Sequence, residues 1–154
     1  MHTRPARTVS VSVGRSPDAV YRYLADPHHL PEWAPGFATS VHKETSVQQK
    51  PARASSGHRD GAAHKERWIV ETADGAFAIA FAPHNRFGVV DHRVTSDDGL
   101  DAINPMRVIA NSDGAEVLFT LFQPAGATDD EFQRDLAVVE SDLQTLKRVL
   151  EGRG

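Results

Sequence analysis

The chain has 154 residues, a formal net charge of −4 and no cysteine. That length suits one domain around one core, and the acidic balance offers no electrostatic attraction to nucleic acid or an anionic membrane. Without cysteine there is neither a disulfide framework nor thiolate chemistry. No apolar run approaches the roughly 18 residues that span a bilayer. Residues 1–7 hold basic side chains with no apolar segment behind them, so they are expected to be a disordered tail rather than a secretory leader. The expectation is a cytoplasmic protein with a single domain over residues 8–152.

Val9, Val11 and Val13 alternate with Ser10 and Ser12, which predicts a half-buried strand. Ser16, Pro17 and Asp18 read as the cap and first turn of a helix that must stop before Pro27. Pro31 opens a second short helical turn carrying Trp33, and residues 37–45 are expected to be a strand. Residues 48–63 hold Pro51, Gly57 and Gly61 without periodicity and read as a mobile loop. Trp68, Val70 and Thr72 lead through Asp74 and Gly75 into Phe77, Ile79 and Phe81, a hairpin. A turn centred on Asp74 and Gly75 sets Thr72 opposite Phe77, Val70 opposite Ile79 and Trp68 opposite Phe81.

Three further strands are expected over residues 87–94, 102–109 and 115–123, joined by turns near Gly99 and Gly114. Pairing through those turns places Phe87, Val89, Asp91 and Arg93 on one face with Asn104, Met106, Val108, Val117, Phe119 and Leu121. Val90, His92 and Val94 then fall on the opposite, mixed face, where apolar members could form a homodimer contact. Pro105 cannot donate to a ladder and implies an edge or a bulge. The last element runs from residue 128 to about 150. Phe132, Leu136, Val139, Leu143, Leu146 and Leu150 make one stripe, and Thr128 with Glu131 forms a capping box. Gly152 stands where a C-terminal cap belongs. About 24 helical residues reach roughly 36 Å, enough to cross a sheet. The fold class is α+β: about six to seven antiparallel strands curved around one long C-terminal helix, with two short helices after the first strand.

The stretch "RSPDAVYRYLADPHHLPEW" resembles the opening of START-like, birch-pollen-allergen-like domains, the SRPBCC superfamily. "WIVETADGAFAIAFAPHNRFGVVDHRV", then "NPMRV", "EVLFTLFQP" and "DLQTLKRVLE", resembles its bacterial polyketide cyclase/dehydrase-like branch. The resemblance spans residues 9–151 and implies a helix-grip fold with a ligand cavity between sheet and helix. The pair His28 and His29, and the length of 48–63, depart from the pattern.

Asp91 and Asn104 are the polar candidates, because they fall on the face assigned to the helix, where a carboxylate could orient a polar group on an apolar ligand. Trp33, Trp68, Phe87, Met106 and Phe119 are candidate walls on one side, and Leu136, Val139 and Leu143 on the other. Asp91 and His92 are strand neighbours pointing to opposite faces, so they do not make a catalytic pair. The eight histidines show no metal-ligand spacing, and no nucleotide or acyl-transfer motif occurs, so neither metal nor cofactor is expected. The resulting expectation is a binding module for a small apolar or aromatic molecule. The alternative is a cyclase/dehydratase using Asp91 as acid or base with Asn104 orienting a carbonyl. A third reading has a filled interior and works through the sheet's other face.

Overall fold

A computed structural model describes residues 1–45 and 66–153. In chain order it holds β1 (Ala6–Val13), α1 (Pro17–Leu24), a 3-10 turn (Pro27–His29), α2 (Leu30–Trp33) and β2 (Ser40–Lys43). There follow β3 (Trp68–Thr72), β4 (Gly75–Phe81), β5 (His92–Thr95), β6 (Asp101–Asn104), β7 (Met106–Asn111), β8 (Gly114–Phe122) and α3 (Asp129–Gly152). The expected loop at 48–63 lies outside the described residues.

Two antiparallel ladders, β1-β8-β7 and β2-β3-β4-β5-β6, are joined where a single residue, Pro105, separates β6 from β7. Proline has no N–H to continue a ladder, but its carbonyl accepts from Thr120 N at 2.9 Å. The segment before β5 runs along β7: Val90 N donates to Met106 O and Val108 N to Gly88 O, both at 2.9 Å. Gly88 has φ +72°, and a Cβ there would stand 2.2 Å from Val108 O, so only glycine permits this crossing. The ladders therefore form one curved surface bent at Pro105. Eight strands stand where six to seven were expected because the bend cuts one strand in two.

Helix α3 begins as its residues dictate. Thr128 Oγ1 accepts from Glu131 N at 3.2 Å, and the Glu131 carboxylate accepts from Thr128 N at 2.7 Å. Its far end is tied to the end of β1 and the residues after it. Gly14 N donates to Glu151 at 2.9 Å, Lys147 Nζ to Ser12 O at 2.7 Å, and Arg15 Nε to Leu150 O at 2.8 Å. β8 ends opposite Ala6 and feeds directly into α3, so the helix runs back alongside β1. The helix is thus held in the curve of the sheet, a helix-grip arrangement.

Four boundaries and registers differ from expectation. β1 opens at Ala6, inside the stretch assigned to the tail, because Ala6 and Arg7 pair with Phe122 and Leu121. Gly152 is the last helical residue and Arg153 the cap. β2 keeps only four of the nine residues expected of it. The β3–β4 hairpin turns on Ala73 and Asp74, pairing Thr72 with Gly75, Val70 with Phe77 and Trp68 with Ile79. This slip of two preserves which side chains share a face, since strand side chains alternate with period two.

Candidate functional site

The inward face of β5 is the reverse of the one expected. Val90, His92 and Val94 are buried, while Arg93 points out and donates to Asp101 at 2.7 Å. Thr95 pairs with Asp101 and His92 with Asn104, leaving a five-residue loop from Ser96 to Leu100. That loop is closed by Ser96 N to Leu100 O at 3.1 Å and by Leu100 N to Ser96 Oγ at 3.1 Å. One residue more or less in the loop would swap the faces of β5.

Two candidates consequently fail to face the helix. Phe87 is 70% exposed, with the Arg86 guanidinium 5.2 Å from its ring. Asp91 stands in the outward register beside Arg93, and its carboxylate is already engaged. It accepts from Met106 N at 2.9 Å and from Arg107 Nη1. Asp91 thus fastens the bend at Pro105, satisfying the first N–H beyond the proline.

His92 takes the inward place. Its ring lies between those of Phe81 and Phe119, with centroids 5.3 and 5.5 Å away. Nδ1 is 3.1 Å from the carbonyl oxygen of Val90. Burial pushes its pKa down to about 4, against a partial upward pull from that carbonyl. Asn104 is directly opposite and therefore on the same face. Among the described residues the ring makes no other hydrogen bond, and neither His92 Nε2 nor the Asn104 amide is a buried polar atom left without a partner.

The apolar candidates divide into two groups. Met106 stands opposite Phe119 in the ladder, and both are buried. Trp68 is buried with His28 edge-on at 4.8 Å, and Trp33 is buried with its Nε1 unpartnered. On α3, Leu143, Leu146 and Leu150 belong to the continuous core formed with β1, α1 and the sheet. Phe132 and Leu136, although buried, stand apart from that core. Val139 is half-buried at its margin, as are Phe77, Phe81 and Leu121 of the inward sheet surface. The C-terminal half of α3 is sealed against the fold, and the N-terminal half is not packed into the same mass.

Some polar residues escaped sequence reasoning. Asp142 is buried within the helix's apolar stripe and accepts from Gly36 N at 3.0 Å. Burial raises its pKa, and that hydrogen bond opposes the rise. Its position three residues after Val139 and four before Leu146 was the available signal. His28 and His29 now have partners. His28 Nδ1 is 2.8 Å from Asp26, and His29 stacks on Tyr23 at 4.1 Å. Tyr23 Oη donates to Glu32 at 2.8 Å and Arg153 to the same carboxylate at 2.7 Å, holding Glu32 below the usual range and closing the end of α3 onto α1 and α2. His29 Nδ1 lies 3.3 Å from Glu32 without the orientation of a hydrogen bond. No three such groups are placed to hold a metal ion among the described residues.

Two surface cavities lie elsewhere. One of about 630 Å³ lies against β4 and β5, mostly on their outward side, and its lining includes Ala80, Phe81, Asp91, His92, Arg93 and Ile103. The other, about 940 Å³, lies between α1, residues 84–88 and β7. Neither is between the sheet and α3. No described helix is long and apolar enough to cross a membrane.

A sheet bent around a C-terminal helix, with an aromatic inward surface and two short helices at one end, defines the START/birch-pollen-allergen-like class. Residues 5–151 match the family described as polyketide cyclase/dehydrase and lipid transport, and the chain belongs to that family. No curated protein sequence matches it. Among solved structures it is similar to CV1439 from Chromobacterium violaceum, at 18% identity and TM-score 0.63, covering 95% of this chain and 97% of that one. It is also similar to Ara h 8.0201, at 9% identity and TM-score 0.66, covering 97% and 99%. DynU16, a protein of the dynemicin biosynthetic locus, is similar at 18% identity and TM-score 0.64, over 95% of this chain and 47% of DynU16. At these identities the likeness shows the shared fold.

Proposed function

We propose that this chain binds a small apolar or aromatic molecule between the sheet and the N-terminal half of α3, without catalysing a reaction. One observation carries the reading: Phe132 and Leu136, on the N-terminal half of α3, are buried yet separate from the continuous core, while Phe77, Phe81 and Leu121 of the inward sheet surface are only half-buried. Packed interiors are close to crystal density, so apolar side chains withdrawn from water but outside the main core mark where a guest molecule completes the packing. A family description that joins polyketide chemistry with lipid transport agrees with an apolar guest. The proposed walls are Leu136 and Val139 on α3 and, at the edge of the continuous core, Trp68, Met106 and Phe119, with Asn104 as a polar contact; Trp33 and Leu143 lie in the same core. Asp91 as acid or base has lost its support, because its carboxylate is held by Arg107 and Met106 N on the other side of the sheet.

A second reading, a filled interior with partner contacts made by the outward face, is favoured by the outward position of the 630 Å³ depression and by Ile103, which is 58% exposed there. Native mass spectrometry of freshly purified protein, with naphthalene titrated against Trp33 and Trp68 fluorescence, separates the two. The ligand-binding reading expects one saturable site per chain, lost in Leu136→Trp, which keeps its fold but fills the space. A chain that carries and takes up nothing, while running as a dimer on size exclusion, supports the second reading and overturns the first.

A further inference from the structure

We propose that residues 35–37 form a gate at the side of the guest space, with the Phe37 ring as its leaf and the Asp142 carboxyl on α3 as its catch. The inference rests on the ligand-binding reading and adds how the guest enters and leaves. The gate hangs between two fixed points. Ala34 and Ala38 are buried, and Thr39 is fastened to β3 by its N–H and its hydroxyl, which donate to Glu71 O at 2.8 and 3.0 Å. Between them Pro35 and Gly36 are exposed and Phe37 is half-buried. This short span touches both the helix and the sheet. Gly36 N donates to Asp142 at 3.0 Å, and the Phe37 ring lies 6.2 Å from that of Phe77, a half-buried residue of the inward sheet surface.

Two features single out the catch. A Cβ at position 36 would stand 2.9 Å from Asp142 Oδ1 and 3.0 Å from Val138 Cγ1, so glycine is what lets the turn lie this close to α3. The carboxyl is also poorly placed to be an ion. Asp142 is only 5% exposed, and a buried charge needs a partner. Residues 34–38 carry no ionisable side chain, and the helix neighbours Val138, Val139, Thr145 and Leu146 are neutral. On α2 the one ionisable side chain is Glu32, a second acid, already held by Tyr23 and Arg153. Burial accordingly raises the pKa of Asp142, and only the Gly36 N–H opposes the rise. The neutral acid is the form that suits the closed turn. Once ionised, the group is drawn toward water and releases Gly36, so rising pH opens the gate.

The test uses N-phenyl-1-naphthylamine, a neutral probe whose fluorescence rises in apolar surroundings, and follows its release into excess naphthalene by stopped flow between pH 4 and 8. In the wild type the release rate is expected to climb with pH along one titration curve. Asp142→Asn, which keeps an acceptor oxygen but cannot ionise, is expected to stay slow and flat. Gly36→Ala is expected to take up and release the probe about tenfold faster than the closed wild type, the rate equivalent of one hydrogen bond, with Kd held within about twofold. Should that variant not fold, Phe37→Ala removes the leaf instead and is expected to be fast and independent of pH. Release equally slow in the wild type, Gly36→Ala and Phe37→Ala, or a pH profile shared by the wild type and Asp142→Asn, overturns the gate but leaves the guest space standing. Faster release matched by an equal loss of affinity marks a lost contact and overturns it too. A probe that binds none of the four proteins overturns the ligand-binding reading itself.

Discussion

A histidine that is 7% exposed and sits between two phenylalanine rings is held neutral by its surroundings, and this couples the fold to pH. His92 in the native protein has its pKa lowered to about 4, whereas in the unfolded chain it titrates near the ordinary 6.5. Between those values the unfolded chain takes up a proton that the native protein refuses, so native stability falls as pH drops through the window. Above 6.5 the group contributes no pH dependence. Across the whole window the loss amounts to about 3 kcal/mol. Urea unfolding of the wild type is therefore expected to show a midpoint that declines between pH 6.5 and 4 more steeply than that of His92→Phe. Parallel slopes in the two proteins would mean that the ring reaches water. Asp142 works in the opposite direction. Burial raises its pKa, so its contribution is present at low pH and lost as pH rises through the folded-state value.

At the scale of elements, the decisive feature is the bend between β6 and β7. Pro105 interrupts the ladder, and the Asp91 carboxylate takes up the N–H of Met106 and the guanidinium of Arg107 just beyond it. Asp91→Ala leaves the Met106 N–H without its acceptor and is expected to cost about 1–3 kcal/mol. Asp91→Asn, which retains an acceptor oxygen, should lose less. Differential scanning calorimetry at pH 7 measures both. Thermal midpoints unchanged from wild type in both variants would show that the carboxylate does not hold the bend. Capping devices, by contrast, needed no tertiary partner to be recognised. Thr128 with Glu131 and Ser16 with Ala19 N form within a few residues of chain, and both stand as their residues imply.

For the molecule as a whole, the two halves of α3 have different duties. Leu143 is 1% exposed within the continuous core, and Leu136 is 5% exposed outside it. Leu143→Ala is expected to cost about 2–5 kcal/mol, the range of a core leucine whose cavity cannot relax. Leu136→Ala should cost clearly less in the empty protein while changing the affinity for naphthalene. Urea midpoints with and without ligand measure both effects; equal destabilisation by the two substitutions would mean that α3 is packed uniformly and that no guest space lies beneath its first half. The ties of Gly14 to Glu151 and of Ser12 to Lys147 close the sealed end, and Arg153 on Glu32 adds the link to α2.

The helix stripe, the two caps, the β3–β4 hairpin and the paired faces of β7 and β8 were legible in the chain, because each depends on contacts between near neighbours or on a period that composition displays. The hairpin's slip of two residues left its faces intact for the same reason. The face of β5 was decided elsewhere. Val90, His92 and Val94 already alternated with the polar Asp91, Arg93 and Thr95, yet the exposed Phe87 just upstream pointed to the opposite assignment. What settled the matter was the five-residue span from Ser96 to Leu100 and the crossing of Gly88 over β7, neither of which any local preference specifies. Strand orientation depends on the parity of a connection, and parity is a property of the closed ladder rather than of the residues within it. Composition and periodicity thus determined that a helix would be gripped by a sheet, and only the tertiary pairing determined that His92, not Asp91, would look inward.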